Sequence, residues 1–289
     1  MKDFVITTES NSDMPKEFLE ENHICVIPHY YSIDDQVYGD GNELTIKEFY
    51  DAMRARKKAA TMASNPAVIL DKFTEIAQSG KDILHISFSS ALSGGYNNIM
   101  SGAAEVMEEF PGIKINVVDT LSVSLGEGIL IKAAVDMQSQ GKSLEETTDY
   151  VQSLVPHLCV QFTVDDLNHL YRGGRLSKTT AIVGTLANIK PILYVDDQGK
   201  LVALDKTRGR KKSLNLLVKN MAQRLGSFKD RQIFIGVVHG DCEEDALYLA
   251  QLIRQEFGYD NILIQPVGPS IGAHSGPGAI GVLFLGDHR

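Results

Sequence analysis

Short apolar runs alternate with longer segments of helical spacing along the first half of the chain. Phe4 to Thr7, Ile24 to Pro28, Ile83 to Ser87 and Ile115 to Asp119 read as strands. Between and after them, Pro15 to Asn22, Ile46 to Ala55, Ala67 to Gln78, Gly95 to Phe110 and Gly128 to Gln140 read as helices. That order predicts an α/β fold whose N-terminal part, residues 1–156, is a doubly wound, mainly parallel sheet. Ligand-bearing loops should then follow the strand C-termini, at Thr8, Ser87 and Asp119. The rhythm changes near Pro156. Val160 to Val164, Pro191 to Val195, Leu201 to Asp205, Ile233 to Val238, Ile262 to Val267 and Ile280 to Leu285 read as strands. Thr179 to Leu186, Arg210 to Leu225 and Glu243 to Phe257 read as helices, and Asp196 to Lys200 as a hairpin turn. Residues 157–289 are therefore expected to form a second α/β domain with a mixed sheet, the ligand lying between or beneath the two.

The run Ile83 to Tyr96, ILHISFSSALSGGY, carries the clearest chemistry. A strand ends in a turn crowded with Ser87, Ser89, Ser90 and Ser93, and Gly94 and Gly95 open a helix. Hydroxyls and unpaired N–H groups at a helix N-terminus suit an anion. The pocket is expected to contain no base that activates a nucleophile, so it reads as a seat for a small charged group.

Composition narrows the classes. With 28 basic against 37 acidic residues, a general nucleic-acid binder is disfavoured. At 43% hydrophobic residues, a large core is expected. Cys25, Cys159 and Cys242 are isolated, which fits a reducing compartment. MKDFVITTES lacks the apolar run of a signal peptide, and no segment reads as a membrane span, so a cytoplasmic protein is expected. No cofactor and no metal site is expected, because the histidines show no ligand spacing.

Two enzymatic patterns fail on context. Gly268-Pro-Ser-Ile-Gly272 matches G-x-S-x-G, but the segment reads as running into a strand, and only Asp287 and His288 follow, at a frayed terminus. Gly276 to Gly281 matches a dinucleotide fingerprint with too little chain after it. Other segments keep their interest. In Ala60 to Pro66, Ser64 or Asn65 reads as an N-cap with Pro66 opening the helix, and Thr61 is free to face a ligand. In the Gly- and Pro-stiffened loop Gly268 to Gly278, His274 is either structural or a donor to a carboxylate. Leu170 to Leu176 and Lys206 to Lys212 are basic islands, and the second opens a helix, where positive charge opposes the dipole.

Taken in order, these segments resemble the DegV family, the FakB-type fatty-acid-binding proteins. Ile6 to Pro15 resembles D-S-x-x-D-L-P, with Glu9 at the usual Asp. Thr61 onward resembles T-S-x-x-N/S, with Met62 replacing Ser. Ser89 to Gly95 matches S-S-x-L-S-G-T except at Gly95, and Asp119 to Gly128 resembles D-S-x-x-x-S-x-G-x-G. Gly173-Gly-Arg175, Arg208 to Lys212 and Gly272 to Gly278 complete the set. The resemblance implies a non-enzymatic protein that encloses one long-chain fatty acid in an apolar tunnel and presents it to a separate fatty acid kinase for acyl-phosphate formation. By position, Ser93, Thr61, His274 and Gly94 would hold the carboxylate. Ser89, Ser124 and Gly272 are secondary loop candidates. Arg175, Arg172 and Arg208 would face the partner or its phosphate. Ile129 to Met137 and Ala181 to Leu186 are candidate tunnel-lining helices, with ordinary core packing the preferred account of each such residue. Stable membrane insertion is not expected, though transient contact with a membrane surface is compatible. An enzyme acting on a small carboxylated or phosphorylated metabolite at the same turn is the alternative reading.

Overall fold

The structure is a computed structural model and describes residues 2–176 and 188–289. The expected helix at Thr179 to Leu186 lies outside the described residues. The strands are β1 (Phe4–Glu9), β2 (Cys25–Ile27), β3 (Tyr31–Ile33), β4 (Gln36–Tyr38), β5 (Ala59–Thr61), β6 (Asp82–Ser87), β7 (Ile115–Asp119), β8 (Leu158–Thr163), β9 (Ile189–Val195), β10 (Leu201–Arg208), β11 (Ile235–His239), β12 (Ile262–Pro266) and β13 (Ile280–Leu285). The helices are α1 (Lys16–Glu21), α2 (Ile46–Arg54), α3 (Pro66–Gln78), α4 (Gly95–Glu109), α5 (Leu125–Ser139), α6 (Leu144–Leu154), α7 (Asn168–Arg172), α8 (Arg210–Arg224), α9 (Glu243–Phe257) and α10 (Pro269–Ser275).

The first sheet has the order β2-β1-β6-β7 and is wholly parallel. β1 has β2 on one flank and β6 on the other, so the winding reverses between β1 and β6. The loops after Glu9 and Ser87 open at that switch point, where α/β sheets bind ligands. α3 and α4 cover one face, and α5 and α6 the other. The second sheet, β10-β9-β8-β13-β11-β12, is mixed: only β11 and β12 pair in parallel. β9 and β10 form the expected hairpin around Asp196 to Lys200.

α5 joins the two sheets. It packs on β1 and β6 on one side and on β8, β11 and β13 on the other. A helix apolar all round must be buried all round, and Leu125, Ile129, Leu130 and Ile131 are all fully buried. Each such side chain contributes roughly 1.5–3 kcal/mol relative to exposure. Of the two accounts open to Ile129 to Met137, tunnel lining and ordinary core packing, the structure shows core packing: the segment fills this core and is absent from the cavity wall.

Several elements depart from the sequence reading. β3, β4 and β5 form a small antiparallel sheet that three-residue strands did not announce. The Gly- and Pro-rich segment is not a loop: Pro269 occupies the first turn of α10, and Gly276 follows it at φ 78°. Gly272 is needed there because a Cβ would lie 2.6 Å from Tyr50 Oη and 2.9 Å from Phe49 on α2. The end of the chain is not frayed. Asp287 accepts from Ser227 N at 2.9 Å, and the buried Arg289 guanidinium donates to the carbonyls of Thr120, Leu121 and Val155. Among the described residues, no helix is long and apolar enough to cross a membrane.

Candidate functional site

Three loops and α10 converge on the switch point. After β6, the chain turns through Ser93 into α4, where Gly95 N donates to Ser93 Oγ at 3.1 Å. The positive end of this fifteen-residue helix faces the turn. Gly94 has an ordinary helical φ of −71°, and a Cβ there would meet nothing within 4 Å. Its contribution is open space beside Ser93. Opposite, Ser124 adopts φ 53° before α5 and donates from Oγ to Asp13. Asp13 Oδ1 also accepts from Gly268 N at 2.9 Å, which ties α10 to both loops. Burial pushes Asp13 up to about 7 despite those two hydrogen bonds.

α10 brings His274 to the end of β5, where Nε2 lies 2.9 Å from Thr61 Oγ1. His274 Nδ1 is buried and has no hydrogen-bond partner. An orphaned N–H costs more than the arrangement in which Nε2 carries the proton and donates to Thr61. That tautomer leaves the Thr61 hydroxyl free to donate to a guest. Burial, then the charge of Arg175, pushes His274 down to about 4, so the imidazole is neutral. Gly173 closes over it: a Cβ there would stand 2.2 Å from Nδ1. Arg175 is held by Leu92 O at 2.9 Å and Gly173 O at 2.6 Å.

Beneath the Ser93 turn lies a buried polar cluster that the sequence reading missed. Glu9 Oε1 accepts from His29 Nε2 at 2.9 Å and Ser64 Oγ at 2.8 Å; Oε2 accepts from Ser87 Oγ at 3.0 Å and Phe88 N at 2.8 Å. Burial opposes its charge, but His29 and His85 hold its carboxyl well below the usual range. Glu127 behaves oppositely: burial and the nearby Glu9 charge push it well above the usual range, and it accepts from Thr8 Oγ1 at 2.6 Å. Asn65 is the helix cap, accepting from Ala67 N at 3.0 Å, while Ser64 belongs to the Glu9 cluster. The family departures at Glu9 and Gly95 meet here. A Cβ on Gly95 would lie 2.9 Å from Ser64 Oγ and 3.4 Å from Glu9 Oε1, so the longer acid and the missing side chain accommodate one another.

Several of these groups border a cavity whose lining is mainly apolar. Its walls include one face of the second sheet, through Val160, Phe162, Leu201, Val238 and Leu283, with Ile271 from α10 and Phe88 and Leu92 from the turn after β6. Thr61, Ser93, Gly94, Ser124, His274 and Arg175 all line it, as do Met62 and His29. Four of the sequence candidates do not. Ser89 is buried and donates to Gly199 O at 3.0 Å, pinning the turn to the β9–β10 hairpin. Gly272 serves helix packing. Arg172 lies against His169 Nδ1 at 3.2 Å, and Arg208 ends β10. The expectation of a pocket without a base needs correction, because His29, backed by Glu9, lines the cavity. Contrary to the expectation that Gly268 to Gly272 runs into a strand, β12, a turn and α10 supply strand, turn and helix around it. His274, the imidazole nearest this motif in the sequence, is bonded to Thr61 and not to Ser270.

The family model described as "Uncharacterised protein, DegV family" matches residues 3–287. A DegV domain-containing protein of Clostridium perfringens is 41% identical, covering 100% of this chain and 99% of its own. Another, from Lactococcus lactis, is 34% identical over 98% and 97%. A fatty-acid-binding DegV family protein from Thermus thermophilus superposes with a TM-score of 0.87 at 27% identity, covering 99% of this chain and 100% of its own. DegV of Bacillus subtilis, described as a fatty acid binding protein, gives 0.83 at 26% identity over 99% and 100%. Fold, motif order and sequence identity over nearly the whole length agree, and the chain belongs to the DegV family.

Proposed function

We propose that the protein binds one long-chain fatty acid, with the acyl chain along the second sheet and the carboxylate on Ser93, Gly94 and Thr61. The observation that carries this reading is a cavity with mainly apolar walls that also takes in neutral donors at a helix N-terminus. A dozen buried methylenes supply roughly 10 kcal/mol gross at about 0.8 kcal/mol each. The tail gives affinity and the polar end gives orientation. Relatives described as fatty-acid binding support the ligand class.

The bound carboxylate is the atom group a phosphoryl donor would meet, so we read the protein as the substrate-presenting partner of a separate fatty acid kinase. Arg175 at the seat and the exposed Arg172 and Arg208 are the cations for that encounter. Because Thr61 and not Ser93 holds His274, an imidazole-activated Ser93 nucleophile has no support, and the metabolite-enzyme reading recedes. Incubation with fatty acid kinase, ATP and oleate, trapping acyl-phosphate as hydroxamate, tests presentation. Product that depends on this protein and falls sharply in Arg175→Ala supports it. Binding of oleate without any kinase-dependent product contradicts it.

A further inference from the structure

We propose that Asn11 makes the cavity selective for a fatty acid that carries a hydroxyl next to its carboxylate, on the α or β carbon. The proposal rests on the fatty-acid reading above and adds a second polar contact to it. Asn11 stands in the single 3-10 turn Ser10–Ser12 that follows β1. It lines the cavity, yet is only 4% exposed. Its neighbours Ser10 and Asp13 are committed: Ser10 Oγ accepts from His29 N at 2.9 Å, and Asp13 accepts from Ser124 and Gly268. Asn11 Oδ1 is enclosed and meets no donor among the described residues. Turning the carboxamide over exchanges acceptor for donor and leaves the need for a partner unchanged. A buried amide in this state destabilises the fold unless a guest supplies the partner.

A plain fatty acid does not supply that partner. Its ionised carboxylate only accepts hydrogen bonds, and its acyl chain neither donates nor accepts. In the fatty-acid reading the carboxylate also has donors already, in Ser93, Thr61 and the N–H groups that open α4. A hydroxyl fits where these do not, because it donates to Oδ1 and keeps lone pairs for a neighbouring donor. Ser275 on α10 is in the same state as Asn11: it lines the cavity, its hydroxyl is buried without a partner, and α10 packs against the Ser10–Ser12 turn. The polar groups on the wall thus exceed the needs of one carboxylate. The place of the hydroxyl follows from the chain. Glu9, just before this turn, has its Oε1 3.4 Å from where a Cβ of Gly95 would stand, and Ser93 Oγ lies 3.3 Å from the same point. His29 bonds Glu9 through Nε2 and Ser10 through its backbone N–H. Asn11 is thereby tied to the carboxylate end, and the group it pairs with belongs to the first carbons of the chain.

Acids of equal length test this. Palmitate, α-hydroxypalmitate and β-hydroxypalmitate, delivered from cyclodextrin, are titrated into delipidated protein. At least one of the hydroxy acids should bind more tightly than palmitate, by about fivefold, the gain expected of one buried hydrogen bond. In Asn11→Leu, close in shape but apolar, that preference should reverse, and palmitate should bind at least as tightly as in the wild type. Should Asn11→Leu fail to fold, Asn11→Ala replaces it and should abolish the preference. Palmitate that matches or exceeds both hydroxy acids in the wild type overturns the proposal, because solvent then satisfies Asn11. An unchanged preference in the folded variant overturns it too. So does an equal loss for all three acids, which would make Asn11 a ligand of the carboxylate. Each of these results leaves the fatty-acid reading standing. Failure of the wild type to bind any of the three acids overturns both.

Discussion

Thr61 Oγ1 and His274 Nε2 stand 2.9 Å apart, although 213 positions separate them in the sequence. The pair joins the edge of the small three-stranded sheet to α10 and aims one hydroxyl at the cavity. Replacing Thr61 by Val keeps the shape and strands the imidazole N–H. Oleate affinity should fall about tenfold, corresponding to roughly 1–1.5 kcal/mol for a lost hydrogen bond. Calorimetry on delipidated Thr61→Val, with thermal unfolding as the control for fold, checks this.

Gly173 is the lid on that imidazole. Its φ of −72° suits any residue, so Gly173→Ala carries no backbone strain. The added Cβ would nevertheless overlap His274 Nδ1. The ring must shift, and ligand affinity should fall at least as far as in Thr61→Val while the melting temperature changes little. Unchanged affinity would show that the ring has room to move.

Glu9 and Gly95 should be energetically coupled. Gly95→Thr restores the family residue but meets Ser64 Oγ and Glu9 Oε1, which should destabilise the fold by roughly 1–3 kcal/mol. Shortening the acid with Glu9→Asp in the same chain should recover part of that loss. A double-mutant cycle by urea unfolding reads the coupling directly, and strict additivity would contradict the compensation.

Asp13 gives a pH signature with a defined sign. Its folded value is raised to about 7 from 3.8, so the folded state holds a proton that the unfolded chain has released. The stabilising contribution is complete below the unfolded value and is lost as pH rises toward and through about 7. Between pH 5 and 8, wild-type stability should therefore decline relative to Asp13→Asn, in which that proton linkage is gone. Chemical unfolding of both proteins at the two pH values checks the difference, in which the other titrating groups largely cancel.

Long, uninterrupted patterns were legible in the sequence. β7, α9 and β13 begin and end where their apolar spacing does. The three-residue strands β3, β4 and β5 are too short for alternation to register, so Thr61 could be noted as a ligand candidate but not placed on a strand. α6 was overlooked although Ser143 and Glu146 form a capping box, a signal that the sequence does print. α10 was mistaken for a loop because Gly and Pro were read as stiffening, when Pro269 at the first turn and Gly276 beyond the last mark a helix. Within the site, Ser93, Thr61 and His274 were visible through ordered motifs. The Glu9–His29–Ser64 cluster was not, because its members are far apart in the chain: the parallel pairing of β1 with β2 carries His29 toward Glu9, and Ser64 follows β5, which pairs with β3.

The central claim is that the cavity is a fatty-acid site. Small-molecule mass spectrometry of an extract from the purified protein tests it most directly. One fatty acid per chain is expected, recovered again after delipidation and exposure to oleate. A protein that comes empty and stays empty when offered oleate would contradict it.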